Sequence, residues 1–104
     1  MTALATFRRS VDAMFGRLGM AATYRPVIGD TVMVTVIPKR PDEYIGLGAS
    51  TLHSETVLFD VRASEVETPK ESDILTYLGA DYRVIGEPRR DIHRLVWTME
   101  AVAV

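Results

Sequence analysis

Hydrophobic spacing changes once along this chain, at Gly19, and that change limits the fold more than any other feature. Before it, Leu4, Phe7, Val11, Met14, Phe15 and Leu18 recur at intervals of three and four, which places them on one face of a helix over 1–18. Thr2 suits an N-cap and Gly16 or Gly19 a terminator, while Arg8, Arg9, Asp12 and Arg17 occupy the other faces. An amphipathic helix can serve a membrane or a partner, but its plainer use is to cover one face or end of a sheet, and that is the reading adopted. After Gly19 the period falls to two and stays there, in short runs rich in β-branched residues and broken by Gly, Pro and Asp.

The runs can be placed one by one. Residues 22–25 form a short strand that ends at Pro26, and 31–37 a second, closed by Pro38, with Val32, Val34 and Val36 on one face and Met33, Thr35 and Ile37 on the other. A third covers 55–63, with Val57, Phe59 and Val61 inward against Leu58, Asp60 and Arg62. A break over 69–73 leads to a strand at 74–78, a tight turn at Gly79-Ala80 and a strand at 82–85. Residues 86–91, with Pro88 and two arginines, read as a loop. The last strand, 94–102, sets Leu95, Trp97, Met99 and Ala101 against Val96, Thr98, Glu100 and Val102. The fold class expected is mainly β with one N-terminal α-helix: a small antiparallel β-barrel or sandwich of about six to seven strands.

Residues 39–54 are the one long irregular stretch, holding Pro41, Gly46 and Gly48. Compact domains rarely keep a loop longer than ~12–15 residues unless it serves binding. The plain alternative is that 44–47 or 50–52 pair as short edge strands.

At 104 residues the chain has the size of one domain, 1–104, with the helix at 1–18 and the barrel at 20–104. With 47% hydrophobic and 25% charged residues it is globular rather than disordered. The absence of cysteine excludes disulfides and thiolate chemistry and leaves the redox compartment open. No apolar run approaches the ~20 residues that span a bilayer, and Arg8 and Arg9 sit inside the first segment rather than ahead of an apolar core, so a cytoplasmic origin without membrane association is expected. Charge is uneven. Residues 1–40 hold six basic and two acidic groups, a balance of +4, and 41–104 hold six basic and twelve acidic, a balance of −6. This suits a protein held between partners of opposite sign, and it equally suits ordinary surface charge that happens to cluster.

Catalytic chemistry finds little support. His53 and His93 lie far apart; His53 and Glu55 share a strand face, yet zinc needs three or four donors, so an exposed loop histidine is the preferred reading. No serine stands in a Gly-x-Ser-x-Gly elbow or a Ser-x-x-Lys motif, and Gly46-Leu47-Gly48 lacks the lysine and helix of a phosphate loop. Acid pairs such as Glu65/Glu67 and Asp42/Glu43 are ordinary. No enzyme activity and no cofactor or metal is expected. A single-strand-binding barrel would need a basic groove with stacking aromatics. Tyr24-Arg25 and Tyr82-Arg83 are the only close pairs, in a chain whose pI is ≈ 5.6.

From residue 61 to residue 101 the chain carries in order Val61-Arg62, Pro69, Asp73, Gly79, Tyr82, Val84, Pro88, Asp91 and Trp97. In this order it resembles the head–tail joining (attachment, or head-completion) proteins of lambda-like tailed bacteriophages, with Ser72 where a turn glycine is expected. Phe15-Gly16 closing a helix, Ala22-Thr23-Tyr24 opening a strand and Pro41-Asp42 in a loop extend the likeness toward the N-terminus. The resemblance implies a non-enzymatic virion protein, monomeric in solution, that assembles as a neck ring, usually six-fold, below the portal of a DNA-filled head and then receives the tail. Implied partners are portal or connector proteins, tail terminator or tail tube proteins and further copies of itself, with no membrane and no specific nucleic acid. It would reside in the bacterial host cytoplasm before assembly and at the virion neck after it. Alternatives are a tail terminator, a minor tail component or the single-strand-binding barrel. The contacts are expected from Arg8, Arg9 and Arg17 on the helix and from Lys39, Arg40, Asp42, Glu43, Tyr44 and His53 in the loop.

Overall fold

The computed structural model describes residues 2–39 and 56–104. Helix α1 (Ala3–Leu18) starts at Thr2, whose Oγ1 accepts the Ala5 N–H at 3.1 Å, and ends at Gly19, whose N–H donates to the Phe15 carbonyl at 2.8 Å. Gly19 is required for space rather than for backbone freedom. Its φ is −76°, open to any residue, but an added Cβ would lie 2.3 Å from both the Phe15 carbonyl oxygen and Thr35 Cγ2.

Six strands follow: β1 (Met20–Arg25), β2 (Val32–Lys39), β3 (Thr56–Arg62), β4 (Ile74–Tyr77), β5 (Ala80–Arg90) and β6 (Val96–Ala103). Every neighbouring pair is antiparallel, and the order β1-β2-β3-β6-β5-β4 closes through the β1–β4 pairing, so the architecture is a barrel and not a sandwich. Closure leaves the six strands no open sheet edge over their paired lengths. Inward positions alternate as the period of two requires: Ala22 and Tyr24, Val34 and Val36, Phe59 and Val61, Leu75, Val84, and Met99 and Ala101 fill the interior. Val66, from the 63–73 connection, packs into the same core, and Phe59 meets the rings of Tyr77 and Tyr82 edge-on with centroids 5.5 and 5.3 Å away.

Five local expectations need correction. Pro38 does not close β2, which runs on to Lys39. The β1 ladder stops at Met20↔Val36, so beyond that point β2 pairs only with β3, and a proline without an N–H is tolerated on the free side. Residues 86–91 are not a loop. β5 continues to Arg90 through a register shift between Ile85 and Arg89, where Gly86 (φ 66°) and Pro88 occupy the irregularity. The β4–β5 turn falls one residue early, on Leu78 and Gly79 (φ 50° and 80°), with Tyr77 paired to Ala80. β3 is buried on both faces. Its outward Asp60 is tolerated because Lys39 Nζ lies 2.5 Å away and Thr98 Oγ1 donates to it at 2.7 Å. Finally, α1 covers the barrel only narrowly, through Phe15, its one buried residue.

Candidate interaction site

The way α1 docks decides which of its side chains remain available. Phe15 inserts under the Arg62 guanidinium, 5.2 Å from the ring centroid, and Arg62 bridges Asp12 of the helix at 3.0 Å and Glu65 at 3.2 Å. Glu65 Oε1 also accepts the Thr35 N–H of β2 at 3.1 Å, so one carboxylate ties the helix clamp to the sheet. Burial alone would lower the Arg62 pKa; hydrogen bonds and charge from Asp12 and Glu65 outweigh it and raise the value. Near the other end of α1, Phe7 stacks on His93 with centroids 3.9 Å apart.

Docking by Asp12 and Phe15 presents one flank of the apolar stripe to the barrel, not its centre. Leu4, Phe7, Met14 and Leu18 therefore remain between 38% and 56% exposed. At 100° per residue, Arg8 and Arg17 border this stripe on either side and Arg9 faces away from it. All three arginines are exposed, and none forms an ion pair among the described residues.

A second surface forms where the 26–31 turn meets the 67–73 segment. A groove of about 560 Å³ opens there, lined on one side by Pro26, Val27 and Ile28 and on the other by residues that include Glu67, Lys70 and Glu71. Its floor is fixed by Asp73, only 2% exposed. Asp73 Oδ1 accepts the Val27 N–H at 2.8 Å, and Oδ2 accepts the Lys70 N–H at 2.9 Å and the Tyr24 hydroxyl. Burial first, then the hydrogen bond and charge of Asp73, push the Tyr24 hydroxyl far above its ordinary value. Ser72, standing where the resemblance expects glycine, adopts φ 78°, the left-handed conformation that glycine takes more readily.

Of the residues named from the sequence, Arg8, Arg9 and Arg17 share one exposed helix, while Lys39 lies at the end of β2 against Asp60. Arg40, Asp42, Glu43, Tyr44 and His53 lie outside the described residues. The groove is not legible in the sequence, because its two walls, 26–28 and 67–73, lie some forty positions apart and each reads alone as ordinary turn or loop. Their only local signal was two apolar residues placed in a turn, next to Pro26 and Gly29. The aromatics that base stacking would need are spent internally: Tyr24 is buried, Tyr82 packs against the core as Tyr77 and Trp97 do, and Arg90 covers the Trp97 ring at 5.0 Å. Among the described residues, no three His, Asp or Glu side chains gather as a metal-holding group, and no helix is long and apolar enough to cross a membrane.

A family model described as phage head–tail attachment protein matches residues 4–101, from the first turn of α1 to near the end of β6. The chain belongs to this family. No curated protein and no solved structure matches it. Membership assigns a structural role in joining the phage head to the tail, with head and tail components as the proteins contacted. The match includes the α1 stripe and the 26–28/67–73 groove, so both surfaces belong to the attachment domain itself.

Proposed function

We propose that this head–tail attachment protein is the subunit of a neck ring. A monomer in the host cytoplasm, acting as one domain over 1–104, adds to the DNA-filled head below the portal, most simply six-fold, and then offers its far face to the completed tail. The family match over 4–101 carries this reading. A small closed barrel suits the task because it is rigid, and a basic N-terminal segment with an acidic remainder of the chain gives a ring two unlike faces and so a stack a direction. Arg8, Arg9 and Arg17 with the 39–54 segment are the assembly contacts proposed.

The test is electron microscopy of induced lysates with this gene deleted, with and without purified protein added back. DNA-filled heads beside complete, unattached tails, converting to whole particles on addition, is the expected result. Tails of abnormal length would indicate a tail terminator, and normal particles would overturn the joining role. Adding back a variant with Arg8 and Arg9 reversed in charge and 42–53 shortened should leave heads and tails apart. If it joins them as well as the parent protein, those residues are not the contacts.

A further inference from the structure

Two exposed apolar patches on this molecule complement each other better than either complements itself. The α1 stripe of Leu4, Phe7, Met14 and Leu18 is bordered by Arg8 and Arg17. The groove presents Val27 and Ile28, 64% and 88% exposed, across from Glu67 and Glu71, with Lys70 as the single opposing charge among its lining residues. Glu71 already accepts the Gly86 N–H at 3.1 Å, and Glu67 has no bonded partner among the described residues. Apolar surface of this kind on a small protein marks a contact, and the charges at the two borders are of opposite sign.

We propose that α1 of one copy seats its stripe, through Met14 and Leu18, in the groove of a second copy of this chain, with Arg17 beside Glu67. The proposal rests on the neck-ring reading for its setting and names the surfaces that build the ring. Leu18, next to Gly19, cannot reach its own groove while the barrel is intact. Gly19 and Pro26 are separated by β1, held extended between β2 and β4, a span of roughly 20 Å at ~3.3 Å per residue. Helix against helix would set Arg8 and Arg17 beside their equivalents, a like-charge arrangement that disfavours the symmetric pairing. A contact between two different patches is head-to-tail, and it closes into a ring when the rotation per copy divides a full turn, as the neck-ring reading requires. Arg9, which points away from the stripe, is left for another partner. The Asp73 hydrogen bonds give the groove a fixed floor, so a docking helix meets a formed site rather than one it must order.

The chain contains no cysteine, which makes crosslinking specific. The double variant Leu18→Cys with Ile28→Cys changes two exposed side chains; it is added to heads from the deletion strain, oxidised, and run on a non-reducing gel. A ladder of covalently joined copies, absent from each single variant, is expected. Efficient dimers from Leu18→Cys alone would show helix on helix and overturn the proposal. Particles that join normally without any crosslink between copies would overturn it too, while leaving the joining role intact. Heads that join tails with no protein added would remove the joining role itself. A second measurement is independent of cysteine chemistry. Arg17→Glu should raise the concentration needed for half-maximal joining roughly five-fold, the upper range for an exposed pair, and Glu67→Arg in the same chain should bring it back. No recovery in the double variant would overturn the contact.

Discussion

At the residue scale, Tyr24 and Asp73 are the pair on which the groove end of the barrel depends. They are separated by 49 positions, and the tyrosine lies in the interior with its hydroxyl on a buried carboxylate. Tyr24→Phe leaves Asp73 Oδ2 with the Lys70 N–H alone and should cost about 1–3 kcal/mol in denaturant unfolding. The pH dependence has a definite sign. The folded-state pKa lies above the unfolded value near 10, so the stability is complete below pH 10 and lost as pH rises beyond it. The loss should reach about 1.4 kcal/mol per pH unit for this one group, and the Tyr24→Phe chain should lack that slope. Two glycines close in sequence should respond in opposite ways. Gly16→Ala meets nothing within 4 Å in a helix interior and should stabilise by about 0.5–1 kcal/mol. Gly19→Ala would force Cβ against the Phe15 carbonyl and Thr35 and should destabilise by about 1–3 kcal/mol. Thermal unfolding of both variants checks the pair.

At the scale of elements, α1 and the barrel are coupled by a short set of contacts: Phe15, the Arg62 bridge to Asp12 and Glu65, and the Phe7–His93 stack. Phe15→Ala removes the one buried anchor of the helix. Amide exchange is expected to quicken across Ala3–Leu18 while β3 and β6, paired along seven positions, keep their protection. If protection falls equally in both, the helix is integral to the barrel's stability rather than appended to it. This division was only half legible beforehand. The spacing of Leu4, Phe7, Val11, Met14, Phe15 and Leu18 defines a helix with an apolar face, because 3.6 residues per turn is a local property. Which part of that face is buried depends on Arg62 and Glu65, which come from the far side of the chain. The same holds for Pro38: a strand ends at proline only where neighbours flank it on both sides, and the length of β1 decides that.

At the scale of the whole molecule, closure of the sheet turns the aromatics inward and leaves charge and aliphatic surface outside. Single-stranded DNA is therefore not expected to be retained by this protein at low salt. Retention that is lost steeply as salt rises would show phosphate contacts and favour the nucleic-acid barrel. The charge separation seen along the sequence acquires a spatial meaning only in part. Arg8, Arg9 and Arg17 do stand together on α1, whereas Arg25 pairs with Asp81 at 3.1 Å and Lys39 with Asp60. With the Arg62–Asp12 bridge, the two parts of the chain thus neutralise one another at three places that the linear balance counts as separate.

The sequence by itself determined the helix, some six to seven antiparallel strands, the alternation of their faces and the resemblance to the family, because each is written in local period, turn chemistry or the order of short motifs. Tertiary structure decided that the sheet closes, that Tyr24 reaches Asp73, that α1 docks by the edge of its stripe and that a groove opens beside Ile28. Those outcomes are set by register and by contacts between residues dozens of positions apart. A period of two fixes which way a side chain points, but it does not fix which strand it will face.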